Sequence, residues 1–231
     1  MRHIPAISIL LLLTGCATTP TLPVEKKTVP DPDWRSRERL PARCEQVQLD
    51  GLAARFYTPH GGTGPWPPVV MLTGSQGGMA SLDKVRALVV SGYCVVTPAY
   101  MQRGEELISV PLEFFDKTLA WLNRNSRVAQ GGVAVVGKSK GGELALLLAS
   151  RNPEVKAVVE IVPSSYVFQG IARRRHSHSS WSENGEDIPF LAYPALKAWL
   201  VSMTTGKFRD VYMAGWKQRT RFPEARIPIE K

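Results

Sequence analysis

Four short apolar runs alternate with amphipathic stretches in the middle of the chain, and this alternation constrains the fold most. The runs are residues 69–72, 94–97, 133–136 and 155–162. Strands that are continuously apolar are typical of a parallel sheet covered on both faces, and helices are the usual connections between parallel strands. The sequence therefore predicts an α/β fold.

The segments that flank these runs also have recognisable patterns. Residues 47–57, interrupted by Asp50-Gly51, predict a β-hairpin that precedes the sheet. Two helices are predicted from apolar residues at helical spacing: Leu82, Val85, Leu88 and Val89 for the first, and Leu112, Phe115, Leu119 and Leu122 for the second. Residues 143–150 predict a third helix that is apolar on nearly all sides.

Length and composition exclude several classes of protein. The 231 residues suggest one domain with or without a tail, and 44% hydrophobic with 21% charged residues excludes a disordered or collagen-like chain. The net charge of +9 suits a lipid headgroup, a nucleic acid or a phosphorylated ligand, and selects none of them. We predict no metal and no cofactor, because the three cysteines form no metal-ligand spacing.

Two of these cysteines lie in the body of the chain. A disulfide between Cys44 and Cys94 is one option, but the apolar run around Cys94 favours a buried thiol.

The N-terminus has the pattern of a secretion signal. A basic start is followed by the apolar residues 7–13, a run too short to span a bilayer. The run ends in Leu13-Thr14-Gly15-Cys16, which resembles the bacterial lipobox. That resemblance implies acylation of Cys16, and Ala17 at the next position implies the outer membrane. The alternative is an ordinary signal peptide that contains a cysteine.

Gly137-Lys138-Ser139-Lys140-Gly141 lies between a predicted strand and a predicted helix. This is a G-x-S-x-G sequence in the strand–turn–helix context of a nucleophile elbow. We predict that Ser139 is the nucleophile and that the N–H of Lys140 stabilises an oxyanion. The alternative is a glycine-rich turn that only packs a helix on a strand.

A second oxyanion donor is expected in residues 73–78, which follow the strand 69–72. We predict the N–H of Gln76 as this donor and that of Ser75 as the next candidate. The alternative is a flexible turn.

Several segments together resemble the catalytic domain of acyl-CoA thioesterases and bile-acid-CoA:amino-acid N-acyltransferases. They are residues 74–78, 137–146, 155–159, 163–170, 180–185 and 188–190. The resemblance extends over about residues 69–231 and implies an α/β-hydrolase-type fold in which Ser139 attacks an acyl thioester. The family usually carries an N-terminal immunoglobulin-like domain. We expect that domain to be reduced or absent, because only a short stretch precedes the body.

The partners of the serine are not evident. His176 and His178 precede the acids Asp187 and Asp210, whereas α/β-hydrolases have the acid before the histidine. Both histidines also lie in a polar, loop-like segment, so we predict neither as the base.

The chain ends in residues 225–231, which resemble the segment before the family's acid-bearing strand. We therefore expect a C-terminal truncation in which the last strands, the acid and the histidine are missing. The run 155–162 would then be an edge strand without a proline or a bulge.

Taken together, these features predict a lipid-anchored serine hydrolase-type protein that acts on acyl thioesters. Residues 1–15 are the predicted signal peptide, 16–41 the lipidated tether and 42–231 a partial α/β-hydrolase domain at the periplasmic side of the outer membrane. The expected partners are an acyl thioester or ester and the membrane, with no nucleic acid. The alternatives are a general carboxylesterase and a catalytically inactive envelope lipoprotein with a binding role.

Two lysines beside the serine and three arginines suggest how a coenzyme A group would be recognised. Lys138, Lys140 and the run 173–175 either attract its phosphates or are exposed, solubilising charges.

The lipobox-like sequence predicts that radiolabelled palmitate enters the protein in a bacterial host. Cys16→Ser abolishes the labelling, because it removes the only sulfur at the predicted acylation site, and it releases the protein from the membrane or blocks its processing. Cys44→Ser is the matched control and keeps the label. A wild-type protein that never incorporates palmitate contradicts the anchor.

Overall fold

The structure is a computed structural model that describes residues 42–162, 164–172, 177–193 and 213–228. Cys16 and the predicted signal peptide and tether lie outside these ranges, as do His176, Asp210 and the arginine run 173–175. The domain boundaries at residues 15 and 41 therefore stay predictions.

Within the residues that the structure describes, nine strands form two sheets. The strands are β1 Ala42–Leu49, β2 Leu52–Pro59, β3 Pro68–Leu72, β4 Cys94–Pro98, β5 Val110–Pro111, β6 Val133–Lys138, β7 Val155–Ile161, β8 Trp181–Glu183 and β9 Glu186–Asp187. The large sheet has the order β1-β2-β4-β3-β6-β7, and the small one has the order β5-β8-β9. Strands β4, β3, β6 and β7 lie side by side in this order, and each adjacent pair is parallel. This confirms the predicted mostly parallel sheet.

The hairpin β1–β2 closes with Leu49 opposite Leu52. Both turn residues have positive φ, 51° at Asp50 and 90° at Gly51, as a two-residue type I′ turn requires. The predicted hairpin is confirmed.

The three predicted helices are present and cover both faces of the sheet. They are α1 Leu82–Val90, α2 Phe114–Arg124 and α3 Lys140–Arg151. Alternate residues of a strand serve opposite faces, as Val69 packs with α1 while Val70 belongs to the core beneath α2 and α3. None of the helices in the described ranges has the length and apolar character that a membrane span requires.

The regular alternation stops after β7, and the chain then folds back over the start of α3. We call residues 164–172 and 177–193 the covering segment. It contains the small strands β8 and β9, and Trp181 of β8 is fully buried. The parallel pairing of β8 with β5 links this segment to the loop before α2.

The two cysteines of the described chain are both free thiols. Cys44 is exposed, whereas Cys94 is buried and its Sγ lies 3.4 Å from the carbonyl oxygen of Trp66. Burial raises the pKa of the Cys94 thiol to about 12. The predicted buried thiol is confirmed.

Strand β7 lies at one edge of the large sheet, where its described pairing is with β6. Side chains on one face of this edge strand are half exposed, 52% at Val159 and 49% at Ile161. The expectation that no bulge interrupts this strand is wrong. Val133 of β6 lies opposite Val155, and the next residue, Ala134, lies opposite Ala157. Lys156 therefore has no residue opposite it on β6, and the register of the two strands shifts at this point.

An exposed apolar edge predicts self-association of residues 17–231. Val159→Thr combined with Ile161→Thr keeps β-branched side chains but lowers the apolar exposure, so sedimentation velocity should show fewer aggregates. The control is Val90→Thr, which changes an exposed valine on α1 and should leave association unchanged. A wild-type chain that sediments as a monomer contradicts the prediction.

Candidate active site

Ser139 lies between β6 and α3 in a strained backbone conformation, with φ 55° and ψ −122°. Non-glycine residues seldom adopt positive φ, and such strain persists only where the surroundings enforce it. Here the N–H of Ser139 donates to the carbonyl of Ile161 at 2.8 Å, and its own carbonyl accepts from Gly142 N–H at 2.8 Å. The serine is therefore held from both sides at the turn into the helix.

Backbone crowding explains the two glycines that flank Ser139. A Cβ on Gly137 would lie 2.0 Å from the carbonyl oxygen of Gly141, and one on Gly141 would lie 2.3 Å from that of Thr73. Real Cβ atoms do not approach oxygen so closely. Strand β6, helix α3 and the end of β3 thus meet at distances that only glycine permits.

The loop after β3 lies against Ser139. A donor in this loop could reach an oxyanion formed at Ser139 only from such a position. A Cβ built on Gly74 would be 3.6 Å from the Cβ of Ser139. The loop is closed by Gly77 N–H to Gly74 O at 3.1 Å and by Gly78 N–H to Met101 O at 2.8 Å. In the described chain, the N–H groups of Ser75 and Gln76 donate to no backbone carbonyl.

Tyr100, which follows β4, restrains the start of this loop through a hydrogen bond. Its hydroxyl donates to the carbonyl of Thr73, and burial raises the pKa of the phenol to about 12, so it stays a donor at neutral pH. Nothing in the sequence pattern pointed to Tyr100, because its role depends on a contact between the ends of two different strands.

Lys140 departs from both expectations for its side chain. It is neither an exposed charge nor available to phosphates, since it is 2% exposed and its Nζ lies 3.0 Å from Oε1 of Glu143. The reason is local: residues three apart share one face of a helix, and this face is covered. The N–H of Lys140 still begins α3 without an intrahelical acceptor, as the oxyanion prediction assumes.

Burial acts on both charges of this pair. Desolvation lowers the pKa of Lys140 and raises that of Glu143, while the attraction between the two side chains opposes both shifts. Lys138, on the other side of Ser139, is exposed.

His178 is hydrogen-bonded to Asp187, although the histidine precedes the acid in the chain, the reverse of the order expected for an α/β-hydrolase. Its Nδ1 lies 2.9 Å from Oδ2 of Asp187, which also accepts from the N–H of Ser179 at 3.1 Å. The other carboxylate oxygen accepts from Ser109 Oγ at 2.5 Å. Partial burial raises the pKa of Asp187, but the three hydrogen bonds outweigh it and hold the pKa below its ordinary value.

Among the described residues, no recorded hydrogen bond joins this pair to Ser139. The side chain of Ser139 makes no hydrogen bond within the described ranges, and His178 is largely exposed. The site therefore brings together Ser139, the Gly74 loop and the start of α3, while His178 and Asp187 are joined to each other.

A mostly parallel sheet with a strained serine between a strand and a helix defines a protein of the α/β-hydrolase type. The family model described as BAAT / Acyl-CoA thioester hydrolase C terminal matches residues 110–231, which is more than half of the chain. The chain belongs to this family.

Curated relatives agree with this assignment. Over 118 residues the chain is 30% identical to acyl-coenzyme A amino acid N-acyltransferase 1 of Mus musculus, and the match covers 50% of the chain and 28% of that protein. Over 126 residues it is 32% identical to acyl-coenzyme A thioesterase 3 of Mus musculus, covering 53% and 28%. The chain thus matches little more than a quarter of these relatives' length.

Solved structures with a similar chain path are also known. An α/β hydrolase enzyme, MGS-M1, from a Medee basin deep-sea metagenome library aligns with a TM-score of 0.46 and 19% identity, over 62% of each chain. A putative dienelactone hydrolase from Klebsiella pneumoniae aligns with a TM-score of 0.45 and 21% identity, over 51% of this chain and 58% of that one.

The crowding at the elbow predicts a large effect of a single methyl group. Gly141→Ala forces the start of α3 away from Thr73 and should lower the free energy of unfolding by about 1–3 kcal/mol or more, measured by urea denaturation. Gly61→Ala is the control, because a Cβ there meets no atom within 4 Å. Equal effects of the two substitutions contradict the close approach.

Proposed function

We propose that the protein acts on acyl thioesters with Ser139 as its nucleophile and the N–H groups of Lys140 and of Gln76 or Ser75 as oxyanion donors. One observation carries the proposal: the strained serine lies directly against the Gly74 loop at the N-terminus of α3. A helix N-terminus favours the negative charge that develops when a hydroxyl attacks a carbonyl. Family membership supplies the acyl thioester as the substrate class.

In the proposed reaction, Ser139 Oγ attacks the thioester carbonyl carbon and loses its proton to a base. The tetrahedral oxyanion collapses, the carbon–sulfur bond breaks, and the thiolate leaves as a thiol after protonation. The acyl-serine that remains then passes its acyl group to water or to an amine. Both outcomes have counterparts among the curated relatives, whose names include thioesterases and amino acid N-acyltransferases.

The described residues leave the proton acceptor of the proposed reaction unassigned. Among the described residues no histidine is hydrogen-bonded to Ser139, and the hydrogen bond recorded for His178 Nδ1 goes to Asp187. A carboxylate in that position can orient a histidine base, so the missing contact with Ser139, and not the bond to Asp187, is the reason for leaving His178 out. Loss of triad partners lowers the rate of a serine hydrolase on the order of 10⁴-fold. We therefore expect slow acyl-CoA turnover by these residues, and ester substrates tested beside acyl-CoA would separate a general carboxylesterase from a thioester enzyme.

The proposed location is the periplasmic side of the outer membrane, through a lipid on Cys16. The lipobox-like sequence and the position of Ala17 support this part of the proposal. The periplasm is a poor source of coenzyme A, so a thioester or ester with another leaving group is included among the proposed substrates.

A fluorophosphonate probe tests the nucleophile, because labelling requires an activated hydroxyl. The protein should be labelled at Ser139, at the slow rate expected of a serine without a hydrogen-bonded base, with the site identified by peptide mass spectrometry, and Ser139→Ala should abolish the signal. Ser91→Ala is the matched control, since Ser91 is exposed at the end of α1 and should leave labelling unchanged.

The other outcomes of this experiment are also informative. A folded wild-type protein that is never labelled favours the catalytically inactive lipoprotein. Labelling that His178→Ala abolishes would make His178 the base and overturn its exclusion.

A further inference from the structure

The Lys140–Glu143 pair is unusual because both charges are removed from water. Each side chain is 2% exposed, and Nζ lies 3.0 and 3.1 Å from the two carboxylate oxygens. A buried ion pair seldom stabilises a protein, since desolvation offsets the attraction, and apolar replacements of similar size are often as stable. A gain in the free energy of unfolding therefore does not explain why Lys140 and Glu143 occupy these buried positions.

The remaining hydrogen bonds of the pair all lead to the covering segment. Lys140 Nζ donates to the carbonyl of Phe168 at 3.0 Å, and the indole N–H of Trp181 donates to Oε1 of Glu143 at 2.8 Å. Ser180 Oγ donates to the same Phe168 carbonyl at 3.0 Å. The first turn of α3 is thus joined at two points to residues that lie 28 and 38 positions further along the chain.

The position of Lys140 gives these bonds a direct effect on the site. It follows Ser139 immediately, and its N–H is one of the proposed oxyanion donors. A positive charge at a helix N-terminus is unfavourable unless it is compensated, so Glu143 and Phe168 determine where this side chain lies. Through that side chain, the same contacts restrict the backbone of Lys140.

We infer that Lys140 and Glu143 are positioning residues that clamp the first turn of α3 to the covering segment and thereby fix the oxyanion donor beside Ser139. This inference rests on the proposed function of Ser139. The clamp also holds the covering segment over the start of α3, so loss of the charges affects both sides of the contact.

A double variant separates positioning from stability. Glu143→Gln alone leaves the Lys140 charge buried and unpaired, so we expect this variant to lose stability or fail to fold. Lys140→Met combined with Glu143→Gln removes both charges and keeps an acceptor for the Trp181 indole. It should unfold within a few degrees of the wild type while its rate of fluorophosphonate labelling falls by about 10- to 100-fold, the range that a misplaced group produces.

The chain provides a matched control on the same two elements. Arg151 Nε lies 3.1 Å from Oε1 of Glu183, so this pair also joins α3 to β8, but both side chains are partly exposed. Arg151→Met combined with Glu183→Gln should leave the labelling rate and the melting temperature unchanged. A buried-pair variant that labels as fast as the wild type overturns the inference.

Hydrogen–deuterium exchange provides a readout that does not depend on reactivity. In the buried-pair double variant, the peptides that contain residues 140–143 and 180–183 should exchange about tenfold faster, while those from β3 and β4 are unchanged. If the wild-type serine is never labelled, the proposed function fails, and exchange alone decides the positioning role. Equal exchange in the wild type and the double variant overturns that role.

Discussion

The candidate site depends on one packing constraint: β6, α3 and the end of β3 lie so close together that no Cβ fits between them. Gly137 and Gly141 let the backbone of the helix approach the backbone of two strands. That approach forces Ser139 into positive φ and brings the Gly74 loop to its side. Strain at the serine is therefore a consequence of sheet and helix packing, and the packing of both helical layers maintains it.

A second constraint is electrostatic. The covering segment can close over the start of α3 only if the two charges beneath it are paired with each other and with backbone or indole groups. Every charged atom of Lys140 and Glu143 has such a partner. In a water-poor environment, a satisfied polar network specifies one arrangement, because each alternative leaves a charge without a partner. Apolar packing alone would tolerate several positions of the same segment.

The fold could be predicted largely from the sequence, because apolar runs and helical spacing report directly on β3, β4, β6, β7 and the three helices. The hairpin followed from Asp50-Gly51. The bulge at Lys156 could not be predicted, since register depends on how two strands pair. The burial of Lys140 does not follow from the sequence, because lysine is rarely buried and the residues that cover the Lys140–Glu143 pair, Phe168 and Trp181, are distant in sequence. The His178–Asp187 pair does not follow from the sequence, because the order of histidine and acid along the chain does not determine which of them meet in space.

The hydrogen bond from Ser139 N–H to the carbonyl of Ile161 has a further consequence. Ile161 is the last residue of β7, an edge strand with described pairing on one side, and such strands open at lower free energy than central ones. The backbone of Ser139 is thus attached to one of the less protected parts of the sheet. Fraying at this edge would release the Ser139 N–H and let this residue relax towards ordinary torsion angles while the hydrophobic layers stay intact, so the geometry of the elbow would be lost at a lower temperature than the global fold.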